Sequence, residues 1–170
     1  MGKRLLIMLL AAGLALTLSA CGSPSKQASE RIAEKAIEDA TGGQADVDIN
    51  NNEVNVETEE GSFRAGEEVD LPADFPSDVY VYGGTIKAVI TNNNPKGHTV
   101  SIETADEAAK VKTAYEEKMR EGNWDITGTM DFGGTISLAG QKGDRNLSVM
   151  IGQNEETTTI VLTTSEESQE

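Results

Sequence analysis

The chain has 170 residues and carries 29 Asp and Glu against 14 Lys and Arg, a net charge of −15. That balance argues against nucleic acid and against anionic lipid headgroups, both polyanions, and suits solubility or a cationic partner. With one Cys, no disulfide can form within the chain, and the fold has to be held by packing.

Met1-Gly2-Lys3-Arg4 opens the chain as a short basic segment. Leu5 to Leu18 is uncharged and mostly apolar, and Ser19-Ala20 sets small residues before Cys21. A basic start, an apolar run and small residues ahead of a cut are the marks of a secretory signal. Fourteen residues rise ~21 Å, short of a ~30 Å hydrocarbon core, so a permanent transmembrane helix is not expected. Leu18-Ser19-Ala20-Cys21 also resembles the lipobox of bacterial lipoproteins, Leu-[Ala/Ser]-[Gly/Ala]-Cys. The resemblance implies that Cys21 is the site of lipid attachment. Its thiol takes a diacylglyceryl group, the signal is cut ahead of it, and the new amino terminus is open to acylation. Two or more acyl chains at ~0.8 kcal/mol per buried CH₂ anchor stably. On this reading the membrane is a partner through Cys21, and the protein sits on a bacterial membrane outside the cytoplasm without crossing it.

Cleavage removes 20 residues, Lys3 and Arg4 among them, which leaves 150 residues at a net charge of −17. A chain of that length buries about 68–70% of its unfolded surface, enough for a core without staples. The expected organisation is a signal peptide (1–20), a lipidated tether (21–26), a helix plus three-strand meander module (27–66), a Pro-containing connector (67–77), a sheet domain (78–165) and a polar tail (166–170).

In the first module, Ile32, Ala33, Ala36, Ile37 and Ala40 recur at helical spacing and form one apolar stripe, ended by Gly42-Gly43. "DVDINNNEVNVE", Asp46 to Glu57, follows. It places Asp46, Asp48, Asn50 and Glu57 at four ligand positions of an EF-hand loop. It reads better as a hairpin turning at Asn51-Asn52. Ile49 then faces Val54, Val47 faces Val56 and Asp46 faces Glu57, so all four apolar residues share a face and Asn stands where positive φ is wanted. Asn51 replaces the loop's obligatory Gly, and no helix pattern leaves Glu57. The like-charge pair Asp46–Glu57 leaves weak calcium binding as an alternative. Phe63 belongs to a third strand.

Pro72 and Pro76 make the connector rigid and extended. Leu71-Pro72-x-Asp74-Phe75-Pro76-x-Asp78-Val79 resembles the "LPxDFPxDV" segment of a loose group of uncharacterised bacterial lipoproteins. In that group a helix ending in Gly-Trp follows, here "AYEEKMREGNW", Ala114 to Trp124. The resemblance implies fold and location, not an activity.

The second module alternates over Thr85 to Thr91 and again over His98 to Glu103, with a turn cluster between. Thr104 to Glu107 has the spacing of a capping box. The helix it opens carries the stripe Ala108, Val111, Tyr115 and Met119, and Gly122 stops it. Four short strands follow, marked by Trp124, Ile126 and Met130, by Ile136 and Leu138, by Leu147, Val149 and Ile151, and by Ile160 and Leu162. The fold class is α+β: the small helix and three strands, then a β-β-α-β-β-β-β antiparallel sheet with one helix on one face.

Chemistry is sparse. No nucleophile elbow, zinc or phosphate-loop pattern occurs, and no cofactor, catalytic or metal-ligand set is expected. His98, the single His, reads as a strand-edge residue. Glu103, Asp106 and Glu107 read as cap and dipole partners rather than catalytic carboxylates. Tyr80 and Tyr82, alternating with Val79 and Val81, read as a strand that presents one pair outward, to a sugar or partner or under the first module. The expected function is a lipid-anchored cell-envelope protein with a non-enzymatic binding or accessory role toward a protein or small molecule. The alternatives are an enzyme with an unrecognised carboxylate site and a weak calcium-binding envelope protein.

Overall fold

The computed structural model describes residues 26–40, 43–50 and 52–167. The segments read above as signal peptide and lipobox, with Cys21, most of the expected tether and the last three residues lie outside them. Among the described residues two helices and nine strands follow in the order α1 (Lys26–Ala40), β1 (Ala45–Asn50), β2 (Glu53–Thr58), β3 (Gly61–Ala65), β4 (Thr85–Asn93), β5 (Lys96–Thr104), α2 (Ala108–Glu121), β6 (Asp125–Phe132), β7 (Thr135–Lys142), β8 (Arg145–Gln153) and β9 (Thr158–Glu166). No helix among the described residues is long and apolar enough to cross a membrane.

The β1–β2 hairpin has the register its alternation dictates: Val47 faces Val56, Ile49 faces Val54 and Asp46 faces Glu57, with Asn52 at φ 70° in the turn. β2 continues to Thr58, so no exiting helix completes an EF-hand. α1 lies against β1, and Glu34 Oε1 accepts the Ile49 amide at 2.8 Å, which satisfies a donor on an edge strand.

The arrangement departs from the expected separate meander. β3 pairs with β4, so the first three strands extend the main sheet instead of forming their own. All nine strands make one antiparallel sheet in the order β1-β2-β3-β4-β5-β9-β8-β7-β6. Alternation shows that a segment is a strand but not which strand it meets across a long connector, and here the edge of β4 was free to take β3.

α2 crosses one face of the sheet over β6, β7 and β8 and buries Ala108, Val111, Tyr115 and Met119, the expected stripe. Gly140 on β7 leaves room for the end of the Met119 side chain, whose methyl group takes the space a Cβ would fill. The rest of that face is closed by the segment between β3 and β4, through Val69, Val79 and Tyr82. The core beneath is Val89, Val100, Ile102, Leu138, Leu147, Val149, Ile151, Ile160 and Leu162.

Two local expectations are corrected. The capping box does not form. Thr104 still pairs with Thr158 as the last residue of β5, so the helix starts only after Glu107, which makes no side-chain cap. Thr104 Oγ1 accepts the Asp106 amide, and the Ala108 amide is taken by Gln153 Oε1 of β8 at 3.1 Å. At the other end Gly122 stops the helix as expected, and the left-handed residue is the next one, Asn123 (φ 57°). The Asn123 amide donates to the Arg120 carbonyl and the Trp124 amide to Met119, a Schellman closure that drops Trp124 into the core. Met130 is not a core residue. A bulge between Ile126 and Gly128 inverts the parity of β6, so Ile126 faces the core and Met130 faces away.

Candidate functional site

The connector is a strap built by its two prolines. Their carbonyls accept amides three residues on, Phe75 to Pro72 at 3.0 Å and Val79 to Pro76 at 3.1 Å. Those turns aim Asp74 and Asp78 at the sheet. Asp78 takes both Arg145 nitrogens, at 2.8 and 2.6 Å, and Lys142 Nζ at 2.8 Å. The two cations hold its carboxyl well below the usual carboxylate range. The Arg145 guanidinium and the Lys142 ammonium also lie over the Trp124 ring, 5.2 and 5.8 Å from its centre. The LPxDFPxDV segment and the Trp that ends "AYEEKMREGNW" therefore meet at one corner, through two cations from the turn between β7 and β8.

His98 sits inside this corner, not at an exposed strand edge. Its neighbours across the sheet are Thr91 and Thr164, and the Phe75 ring tilts over it at 5.5 Å. It is only 2% exposed. Thr91 Oγ1 lies 3.3 Å from Nδ1, while Nε2 has no hydrogen-bond partner and stands 3.8 Å from Asp74 Oδ2. Burial pushes the imidazole pKa down, against the pull of Asp74. The adjoining cavity of about 40 Å³ has room for little more than a water.

Tyr80 and Tyr82 form no strand and present no exposed pair. Both rings pack on Tyr115, and Tyr82 is buried. The Tyr82 amide donates to the Tyr115 hydroxyl at 3.3 Å, and the Tyr82 hydroxyl donates to Asp106 Oδ2 at 2.6 Å. That bond to a carboxylate, with burial, raises the Tyr82 phenol to about 12. Burial raises Tyr115 as well. Asp106 is further tied to Lys110 at 2.8 Å, and its carboxyl is held low by Lys110 first and Tyr82 second. Each of these groups is occupied in the fold.

A shallow cleft of about 600 Å³, open to solvent, lies beside Glu38, Asp46, Glu57 and Glu59. Among the described residues no three His, Cys, Asp or Glu are grouped closely enough to hold a metal ion.

The remaining feature is the sheet face opposite α2. Directly opposed residues on antiparallel strands point to the same side, so the registers assign every strand position to a face. Among the described residues the large hydrophobics with substantial exposure are Phe63, Ile90, Met130, Phe132 and Met150, and all five fall on this face. Between them it carries small and hydroxylic residues such as Thr99, Ser101, Thr163, Ser148 and Ser137. From β4 to β9 the register places two charged residues on it, Glu103, paired with Lys87 at 3.8 Å, and Asp125 at a strand end. From the sequence Phe63 was placed on a third strand without a register and Met130 on the wrong face. Face assignment needs the pairing partners and the positions of bulges, and neither is written in local alternation.

Among known proteins, the model of the START domain-like family matches residues 85–170, which contain β4 to β9 and α2. No curated protein and no solved structure matches the chain.

Proposed function

We propose that this protein is a lipid-anchored, non-enzymatic binding module of the bacterial cell envelope, on the premise that the chain belongs to the START domain-like family, whose model spans just over half of it. START-like domains are usually binding domains. The observation that carries the reading is the open sheet face: five exposed large hydrophobics on one side of a chain whose net charge is −15. Large apolar side chains left exposed together on one face mark an interaction surface. Catalysis calls for a concave pocket with convergent polar groups. His98 opens instead onto a water-sized cavity, and the buried tyrosines are engaged with their neighbours.

The lipobox-like Leu18-Ser19-Ala20-Cys21 supports the anchor. Five residues from Cys21 to Lys26 span at most ~17 Å, so a lipid on Cys21 would keep the sheet next to the membrane. Cys21→Ala should abolish labelling by a fatty-acid precursor and release the protein from the membrane fraction; persistent labelling overturns the anchor. Binding is tested with a photo-crosslinking residue at Ser148 on the open face and, as control, at Glu117 on the exposed side of α2. Adducts at 148 and none at 117 are expected in native membranes. Equal yields at the two sites refute docking through the sheet.

A further inference from the structure

We infer that the strap is an acid-sensitive cover: the stretch from Leu71 to Pro76 lies closed over a neutral His98 and lifts from it when the imidazole takes a proton. Both ends of the strap are held by bonds that mild acid leaves intact. At its start the Gly66 and Val69 amides donate to the Lys87 and Ile86 carbonyls of β4, at 3.0 and 2.9 Å. At its end Asp78 grips Arg145 and Lys142, and the Tyr82 hydroxyl donates to Asp106. Both of those carboxyls are held below the usual carboxylate range, so they stay ionised in mild acid. Between its ends the strap rests on the imidazole, with the Phe75 ring over it and Asp74 beside it, and Leu71 and Phe75 half-buried against the core.

An imidazolium donates from both ring nitrogens and needs an acceptor at each. Thr91 Oγ1 can serve Nδ1. Nε2 has no hydrogen-bond partner, and the cavity of about 40 Å³ beside it has room for about one water. The charged groups facing the ring are Asp74 from the strap, Lys96 from the start of β5 and Glu166 from the end of β9, and Arg145 of β8 lines the same cavity. Asp74 Oδ2 stands 3.8 Å away on a side chain that is 53% exposed, so water weakens its pull. Burial under the closed strap therefore outweighs Asp74 and lowers the proton affinity of the ring. Lifting Phe75 and Asp74 returns the ring to water and to its ordinary value near 6.5. The closed state binds the proton more weakly than the lifted one, so closure is complete above about pH 6.5 and is lost as pH falls through the closed-state value. Lifting bares the core beneath Leu71 and Phe75, an apolar surface on the α2 side that neutral pH keeps covered.

The test is thiol labelling by iodoacetamide in the full chain, mapped to its position by mass and divided by the rate for the denatured chain at the same pH. Val89→Cys puts the probe on β4, on the core face next to the Thr91–His98 pair. Val149→Cys puts the control on β8 beneath α2, away from the strap. Relative labelling at position 89 should rise by up to about tenfold from pH 7.5 to pH 5.5, while position 149 stays flat. No rise at position 89, or an equal rise at both positions, overturns the local opening. Adding His98→Gln to Val89→Cys should abolish the rise, and a rise that persists shows that the imidazole is not the trigger. The companion measurement needs no variant: the chain has a single His, so its magnetic resonance titration in the wild type is read without ambiguity. It should lie below about 6.5, and a value at or above that overturns the inference.

Discussion

Tyr115 offers the sharpest test of how the core is built. Its side chain is fully buried beneath α2, edge-on to Tyr80 and stacked on Tyr82, and its hydroxyl accepts the Tyr82 amide. Truncation to Ala removes a large aromatic from a packed core and should cost about 3–5 kcal/mol. Replacement by Phe keeps the ring and orphans one buried N–H. The bond is long at 3.3 Å, so the loss should sit near the low end of the range for an unpaired group, about 1 kcal/mol. For a chain of this size each kcal/mol moves the melting temperature by about 2–4 °C. Tyr115→Ala should thus melt about 6–20 °C below the wild type and Tyr115→Phe about 2–4 °C below, read by calorimetry. The order of the two variants matters more than either value. If Tyr115→Ala melts with the wild type, the ring lines an open cleft, and the binding site lies on the α2 face instead of the opposite one.

Two further outcomes follow from the corrected geometry. The folded pKa of His98 is depressed below the unfolded value near 6.5, so its neutral form contributes stability that is complete above about pH 6.5 and is lost as pH falls through the folded value. Denaturant titrations at about pH 7 and pH 5.5 should show wild type losing more than His98→Phe, by at most about 1.4 kcal/mol per pH unit; equal losses would show that the imidazole protonates freely in the folded protein. Gln153→Ala should cost about 1 kcal/mol, as loss of an N-terminal cap does, while Glu107→Ala should be near neutral; chemical denaturation giving the reverse order would restore the capping box.

How far the sequence carried depended on how local each determinant was. The β1–β2 register was legible to the residue, because alternation on both strands and Asn at the turn admit one solution. The α2 stripe was legible for the same reason at helical period. The capping box misled because a local pattern lost to a long-range one: pairing of Thr104 with Thr158 kept the backbone extended where the cap needed the helix to begin. Bulges after Ile86 and Ile126 reverse which side every later residue faces, and no residue type announces them. His98 follows a turn and looked peripheral, yet β9 flanks it on the side away from β4 and Phe75 roofs it, and both are far from it in sequence. Asp74 and Asp78 were visible as motif letters, but their partners lie 24 and 67 residues along the chain.

The strap has a consequence for where the working unit begins. The START domain-like match starts at residue 85, at the first residue of β4. Yet the core face of that half is only part-covered by α2, which lies over β6 to β8. Val69, Val79 and Tyr82 belong to the preceding segment and supply the remaining cover, as Phe75 does over His98. Without them the β4–β5–β9 side would expose Val89, Val100 and a buried imidazole to water. The ion pairs of Asp78 with Arg145 and Lys142 fasten the strap to the far side of the same half, so the cover is latched as well as laid. With the α2 face sealed by helix and strap together, the opposite face is left as the broad surface where a partner can bury apolar area.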